Sequence, residues 1–239
     1  MKRFIVTESF WEIFPEAEIA VVLAKGIDNS EEGNEERRPA IIEFLEECNA
    51  DAKKFLTAEV FSQNPVVAVW RNAYQRFKTK KGVRSSVEAL LKRVDKGAGV
   101  DPIGPLVDIY NAVSLRFGLP CGGEDTDRFV GDLLLTAATG EENFLGIGDE
   151  AYETALPGEI VYKDDEEIVC RCLNWRDSQR TMLTEDTVNA FLVMESVDPE
   201  RSGTLREAAE TLADRIEKFL GGRTEIVYLD ADRRETAIA

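Results

Sequence analysis

Histidine does not occur anywhere in the 239 residues. Its absence removes Ser-His-Asp and Cys-His relays, a histidine general base, and every His-ligated zinc, copper or non-haem iron site. Cysteine is scarce, at four positions: Cys48, Cys121, Cys170 and Cys172. The one close pair, Cys170 and Cys172, has strand spacing and would share a face. Reduced, partly buried thiols are therefore expected rather than a disulfide or a metal site. Long apolar runs are also missing. No stretch approaches the roughly 18 residues needed to cross a bilayer, and the first residues carry two bases without a signal-peptide core. These features point to a cytoplasmic protein that does not engage a membrane. No phosphate loop, dinucleotide fingerprint or metal-ligand cluster is present, so no cofactor and no metal is expected. Without repeats, low-complexity tracts or a Pro/Gly/Ser linker, the chain reads as a single domain over 1–239.

What the chain has in excess is acid: 46 Asp and Glu stand against 29 Lys and Arg, for a formal charge of −17. An average field of that sign repels phosphate. The distribution is uneven, however. Between Trp70 and Arg93 the chain carries Arg71, Arg76, Lys78, Lys80, Lys81, Arg84, Lys92 and Arg93 against Glu88 alone. At physiological salt, charges beyond about 8 Å are largely screened, so this patch acts locally. Interleaved with Trp70, Tyr74 and Phe77, its bases Arg71, Arg76, Lys78, Lys80, Lys81 and Arg84 suit an RNA backbone beside an apolar wall. Docking on the protein's own acidic surface is the alternative. A second charged stretch, Asp28 to Glu36, reads as a solvated acidic connection.

Periodicity predicts an α+β fold, with mixed or antiparallel sheets and flanking helices. A buried strand is expected over 17–24. Helices are expected over 39–49, over 64–77 behind Asn64-Pro65, and from a Ser85 capping box to Asp95. Pro105 and Gly118 bracket a fourth helix, 105–117. Beyond residue 155 the pattern turns β-like: a hairpin (158–162 and 167–172) around an acidic turn, then a strand over 187–197. A second capping box at Thr204 predicts a helix with Leu205, Ala209, Leu212, Ile216 and Phe219 inward. Gly221-Gly222 would end it before a strand over 225–229.

The most specific stretch is the 105–117 helix and its continuation. Leu106, Ile109, Tyr110, Val113 and Phe117 form its apolar stripe, while Asp108 and Asn111 share a second side. A Gly-x-Pro stop and a flexible acidic turn, Cys121-Gly122-Gly123-Glu124-Asp125, follow. This stretch resembles the B3/B4 module of the phenylalanyl-tRNA synthetase beta subunit, where a Val-Val-Asp-x-x-Asn-x-Val helix runs into Gly-x-Pro with an Asp five residues later. Leu106-Val107-Asp108, Asn111, Val113, Gly118, Pro120 and Asp125 stand at the matching places. The likeness covers about 65–200, with an N-terminal strand and helix and a C-terminal helix and strand as extensions. It departs from the family at Gly122, where histidine is common.

The resemblance implies a freestanding module that binds tRNA or aminoacyl-tRNA and hydrolyses wrongly charged species in trans, with a synthetase or another protein as the candidate partner. An aminoacyl ester is already activated, and the vicinal ribose hydroxyl can help move a proton. The protein must then supply a positioned water and oxyanion donors. Asn111, Arg180 and the Gly122-Gly123 backbone are the candidate donors; Glu124, Asp125 or Glu159 would orient the water. Tyr110, Gly122, Gly123, Asn174, Trp175 and Thr181 are the candidate substrate-binding residues, with Trp175 able to stack a base. A noncatalytic module binding RNA, an amino acid or a protein on the same scaffold is the competing expectation. The two hypotheses share one geometric requirement: Asn111, the Gly122 segment and the stretch Asn174 to Thr181 must converge on one cavity.

Overall fold

The computed structural model describes residues 2–238. Its strands are β1 (Arg3–Val6), β2 (Glu18–Lys25), β3 (Gly122–Asp125), β4 (Leu133–Ala137), β5 (Asn143–Phe144), β6 (Glu153–Thr154), β7 (Ile160–Lys163), β8 (Ile168–Arg171), β9 (Arg176–Asp177), β10 (Asn189–Ser196), β11 (Arg223–Leu229) and β12 (Glu235–Ala237). Its helices are α1 (Glu8–Trp11), α2 (Arg38–Asp51), α3 (Pro65–Ala73), α4 (Ser86–Asp95), α5 (Pro105–Phe117) and α6 (Ser202–Leu220). One sheet runs β12-β1-β4-β7-β8-β9, antiparallel throughout except for the parallel β1–β4 pair. The other, β11-β2-β10-β3, is wholly antiparallel. The α+β class expected from the pattern is the one observed.

Strands β2 and β10 are central in the second sheet and almost completely buried, which their continuous apolar content requires. Leu205, Ala209, Leu212, Ile216 and Phe219 of α6 are buried as expected, and α6 packs on β2, β10 and β11. Helix α5 lies against α2, α4 and α6. The sheets meet through aromatic contacts. Phe191 of β10 sits edge-on to Phe4 of β1 at 5.1 Å, and Phe4 stacks on Tyr162 of β7 at 5.8 Å between centroids.

Three local expectations are corrected. Helix α3 stops at Ala73 rather than Phe77, because Tyr74 turns inward and its hydroxyl donates to the Cys172 carbonyl at 2.8 Å. Helix α6 begins at Ser202. A short 3₁₀ turn, Pro199–Arg201, leads into it behind Asp198, whose carboxylate accepts from Glu200 N, so Thr204 lies inside the helix and caps nothing. The acidic connection is folded rather than merely solvated. Asn29 and Asn34 are buried, with Asn29 donating to Thr184 O and accepting from Leu106 N. Strands β1 and β4 to β6, and helix α1, were not foreseen at all.

Arg171, at the end of β8, has a fully buried side chain that forms a two-pronged pair with the equally buried Glu159, at 2.7 and 2.6 Å. Burial pushes Glu159 up, but the guanidinium outweighs it and holds the carboxyl below its ordinary value. Removing the cation alone strands a buried charge. Arg171→Met is therefore expected to lower the unfolding free energy by about 3–5 kcal/mol in urea titrations, and adding Glu159→Gln should recover a measurable part.

Candidate functional site

Because β10 is pleated, Phe191, Val193 and Glu195 share the face toward the six-stranded sheet. Near β3 and the N-terminal half of α5 the two sheets separate and leave a cavity of about 100 Å³. For scale, an engineered apolar cavity of about 150 Å³ holds a benzene molecule. Tyr110 and Asn111 of α5, Gly122, Gly123 and Glu124 of β3, and Asn174 with Trp175 line it, so the required convergence is met. Tyr162, Cys121, Cys170, Asp177, Glu195 and Ser86 complete its polar surface.

The cavity is acidic. Glu124, Asp177 and Glu195 line it, and no lysine or arginine does. Glu195 accepts from Tyr162 Oη at 2.6 Å and from Asn174 Nδ2 at 3.1 Å. Burial pushes its carboxyl up to about 7, against the pull of those two bonds. Burial likewise raises Asp177, opposed by a bond with the Cys170 thiol. Glu124 is raised well above its ordinary range, first by burial and then by the Asp177 charge. It is 5% exposed, and neither carboxyl oxygen has a hydrogen-bond partner.

The wall holding Asn174 and Trp175 has an unusual backbone. Cys172 and Leu173 both lie in the left-handed region, at φ 46° and 65°, an arrangement costing non-glycine residues about 1–2 kcal/mol each. Leu173 N donates to Ile160 O, Trp175 N to Arg171 O, and the Asn174 carbonyl accepts from Ser86 N at 3.1 Å. These bonds hold the bend that points Asn174 at Glu195.

Glu124-Asp125 was expected in a flexible turn; the segment is instead edge strand β3, paired with β10 in register Gly123↔Leu192. A Cβ on Gly123 would come within 2.6 Å of Leu192, whereas nothing lies within 4 Å of a Cβ on Gly122. Four predicted site residues do not line the cavity. Asp125 accepts from Thr187 Oγ1 and Asp127 N. Arg180 pairs with Asp164 and Glu167 at 2.7 and 3.1 Å. Thr181 is fully buried behind β3, its carbonyl taken by Asp125 N. Glu159 is committed to Arg171. Asp108 also turns away, pairing with Arg38 at 2.6 Å and accepting from Ile103 N. In each case a burial-driven ion pair or backbone bond claims the group.

The basic patch is redistributed in a similar way. Trp70 and Tyr74 are core residues rather than a stacking wall. Arg71 pairs with Glu88 at 2.7 Å, Lys80 pairs with Glu153, and Arg76 lies over the Phe14 ring at 4.8 Å. Lys78, Lys81 and Arg84 stay exposed. A groove lined by Arg84, Lys92, Arg93 and Lys96 reaches the cavity, sharing Ser86 and Trp175 with it. Sequence reasoning missed Glu195, Tyr162, Cys121, Cys170 and Ser86. Of these, only Glu195 left a trace, as a lone acid in an otherwise apolar strand.

Helix–Gly-x-Pro–strand against a two-sheet frame defines a known class. The B3/4 domain family model matches residues 69–221, and the chain belongs to that family. Among curated relatives, the phenylalanine–tRNA ligase beta subunits of Mycoplasma genitalium and Ruegeria pomeroyi are 32% and 33% identical over 111 and 99 residues. Those matches cover 46% and 41% of this chain, but only 13% and 12% of the subunits. The matched part is thus about an eighth of each relative's length. An N-terminal fragment of the phenylalanyl-tRNA synthetase beta subunit from Pyrococcus horikoshii shares the fold. Its TM-score is 0.52 at 12% identity, over 94% of this chain and 53% of the fragment. No helix among the described residues is long and apolar enough to cross a membrane.

Glu195 gives a pH signature. With its folded value near 7 and the ordinary glutamate value of 4.5 in the unfolded chain, the folded state holds the extra proton between those limits. Its contribution to stability is complete below about 4.5 and is lost as pH rises through about 7. Subtracting the pH profile of Glu195→Gln from that of the parent should leave a decline of about 3 kcal/mol over this window, measured by urea unfolding.

Proposed function

We propose that the chain binds the aminoacyl end of tRNA and hydrolyses mischarged species in trans. The observation that carries this reading is the convergence of Asn111, the Gly122–Glu124 strand and Asn174–Trp175 on one cavity, joined to a basic groove at Ser86 and Trp175. In this reading the groove, with Lys78 and Lys81 on the neighbouring loop, carries the phosphates of the acceptor end, and the cavity takes the amino acid. Tyr110 and Trp175 wall the amino-acid side, and Asn111 offers an amide to the ester carbonyl. In the same reading the Gly122-Gly123 backbone is the further source of oxyanion donors. Family membership and the relatives' names support the tRNA assignment; a synthetase is the natural protein partner to test.

One observation favours the noncatalytic alternative. Burial raises both Glu124 and Asp177, and the other predicted water-orienting acids, Asp125 and Glu159, are engaged elsewhere. Hydrolysis here leans on the substrate's own vicinal hydroxyl and on positioning rather than on a strong protein base. Assays across a panel of mischarged tRNAs separate the readings. Hydrolysis of at least one species well above the buffer rate, lost by at least tenfold in Asn111→Ala, is the expected result; buffer-level rates throughout leave only binding. For the groove, the triple change of Arg84, Arg93 and Lys96 to Glu should weaken tRNA binding. It should also make the slope of log K against log salt shallower by about 2–3. Unchanged affinity removes the groove from the interface.

A further inference from the structure

The strongest unassigned feature of the molecule is Glu124. A carboxyl that is 5% exposed normally has its oxygens satisfied, since desolvating them without partners is costly. Here neither oxygen has a partner, and the residue lines the cavity rather than a closed core. The three ligand-facing acids lie in a space with no lysine or arginine, so an anionic group of a ligand has no counter-charge inside. Glu195 already spends both oxygens on Tyr162 and Asn174. Glu124 is left with no cation and no well-formed hydrogen bond, the buried Thr181 hydroxyl being the neighbouring donor that bears on it.

We propose that Glu124 is the anchor for a primary ammonium group, so that the cavity selects ligands carrying one. This rests on the cavity being the amino-acid pocket of the preceding section, and it names the group recognised there. Two sources present that chemistry: the α-ammonium of an amino acid esterified through its carboxyl, and a simple alkylammonium. An ammonium supplies three donors, enough for both Glu124 oxygens and one neighbour such as the Asn111 carbonyl.

Burial, and then the Asp177 charge, raise the Glu124 carboxyl well above its ordinary value. The groups that bear on it are Asp177, the Thr181 hydroxyl and Arg180 from the segment that includes β9, and Asp125 on its own strand. Tyr110 on α5 and Cys170 on β8 also face it, and both are themselves raised. Glu195 on β10 lies in the same cavity. As the ammonium arrives, Glu124 gives its proton to solvent and the ion pair forms, so affinity increases as pH rises while Glu124 is still acid.

The test uses the whole chain and small probes, without tRNA. L-valine and L-phenylalanine methyl esters, their des-amino counterparts and n-butylamine are titrated by calorimetry between pH 6 and 8. The amino esters are expected to bind at least tenfold more tightly than the des-amino esters. Glu124→Gln should remove that preference and leave the des-amino esters unchanged. Butylamine matching the amino esters assigns recognition to any primary ammonium, and butylamine failing assigns it to the α-ammonium; both support the proposal. Equal binding of amino and des-amino esters, no binding of any amine probe, or an amino-ester affinity untouched by Glu124→Gln overturns it. If Glu124→Gln does not fold, as read by its thermal transition, the amino against des-amino comparison in the parent chain still decides. Ester binding without tRNA hydrolysis counts against the hydrolase reading alone.

Discussion

The structure depends on the pleat of β10. That strand is hydrogen-bonded to β2 on one side and β3 on the other, so its orientation cannot drift and its alternate residues are forced to opposite faces. One face meets α6. The other delivers Phe191 to the aromatic contact with Phe4, and then Val193 and Glu195 to the space where the sheets part. A slip of one residue would exchange Glu195 for Met194 in the cavity and bury a carboxyl beneath α6. The fold and the site are set by the same register.

A second theme is how the molecule disposes of its charges. Its acids are numerous, and the ones that sequence spacing brings near the motif helix are mostly consumed. Asp108 ties α5 to α2 through Arg38, Arg180 holds the β7–β8 turn, and Glu159 neutralises Arg171. Each pair offsets a desolvation cost that an unpaired ion could not survive. Glu124, Asp177 and Glu195, around the cavity, form no ion pair; Glu195 is held by Tyr162 and Asn174, whereas neither Glu124 oxygen has a well-formed hydrogen bond. The basic residues divide in the same manner: Arg71 and Lys80 are spent on acids, whereas Arg84, Arg93 and Lys96 line the groove. Net charge says little about such a protein; the pairing pattern says much more.

How far the sequence could be followed depended on the range of the signal. Helix α5 was legible to the residue because Pro105 and Gly118 act locally, the latter closing the helix at φ 61°. The Ser85 cap of α4, the β7–β8 hairpin and the inner stripe of α6 were legible for the same reason. Strands β1 and β4 were not. They are short, and β1 finds its parallel partner about 130 positions away, which no local pattern announces. Gly122 to Asp125 has the composition of a turn and becomes a strand only because β10 offers an edge. The site shows the same division. Asn111, Glu124 and Asn174 followed from the motif, whereas Tyr162 and Glu195 enter through pairings between distant strands.

Eleven glycines adopt left-handed backbone, and Gly122 is not among them. It sits in extended strand at the lip of the cavity, with open space where a side chain would project. The scaffold therefore does not require glycine at that point. Cavity lining and stability are uncoupled there: a single codon can place an acid, a base or a hydroxyl at the cavity while the sheet beneath carries on unaltered, which leaves this fold free to vary what the cavity presents without first relearning how to fold.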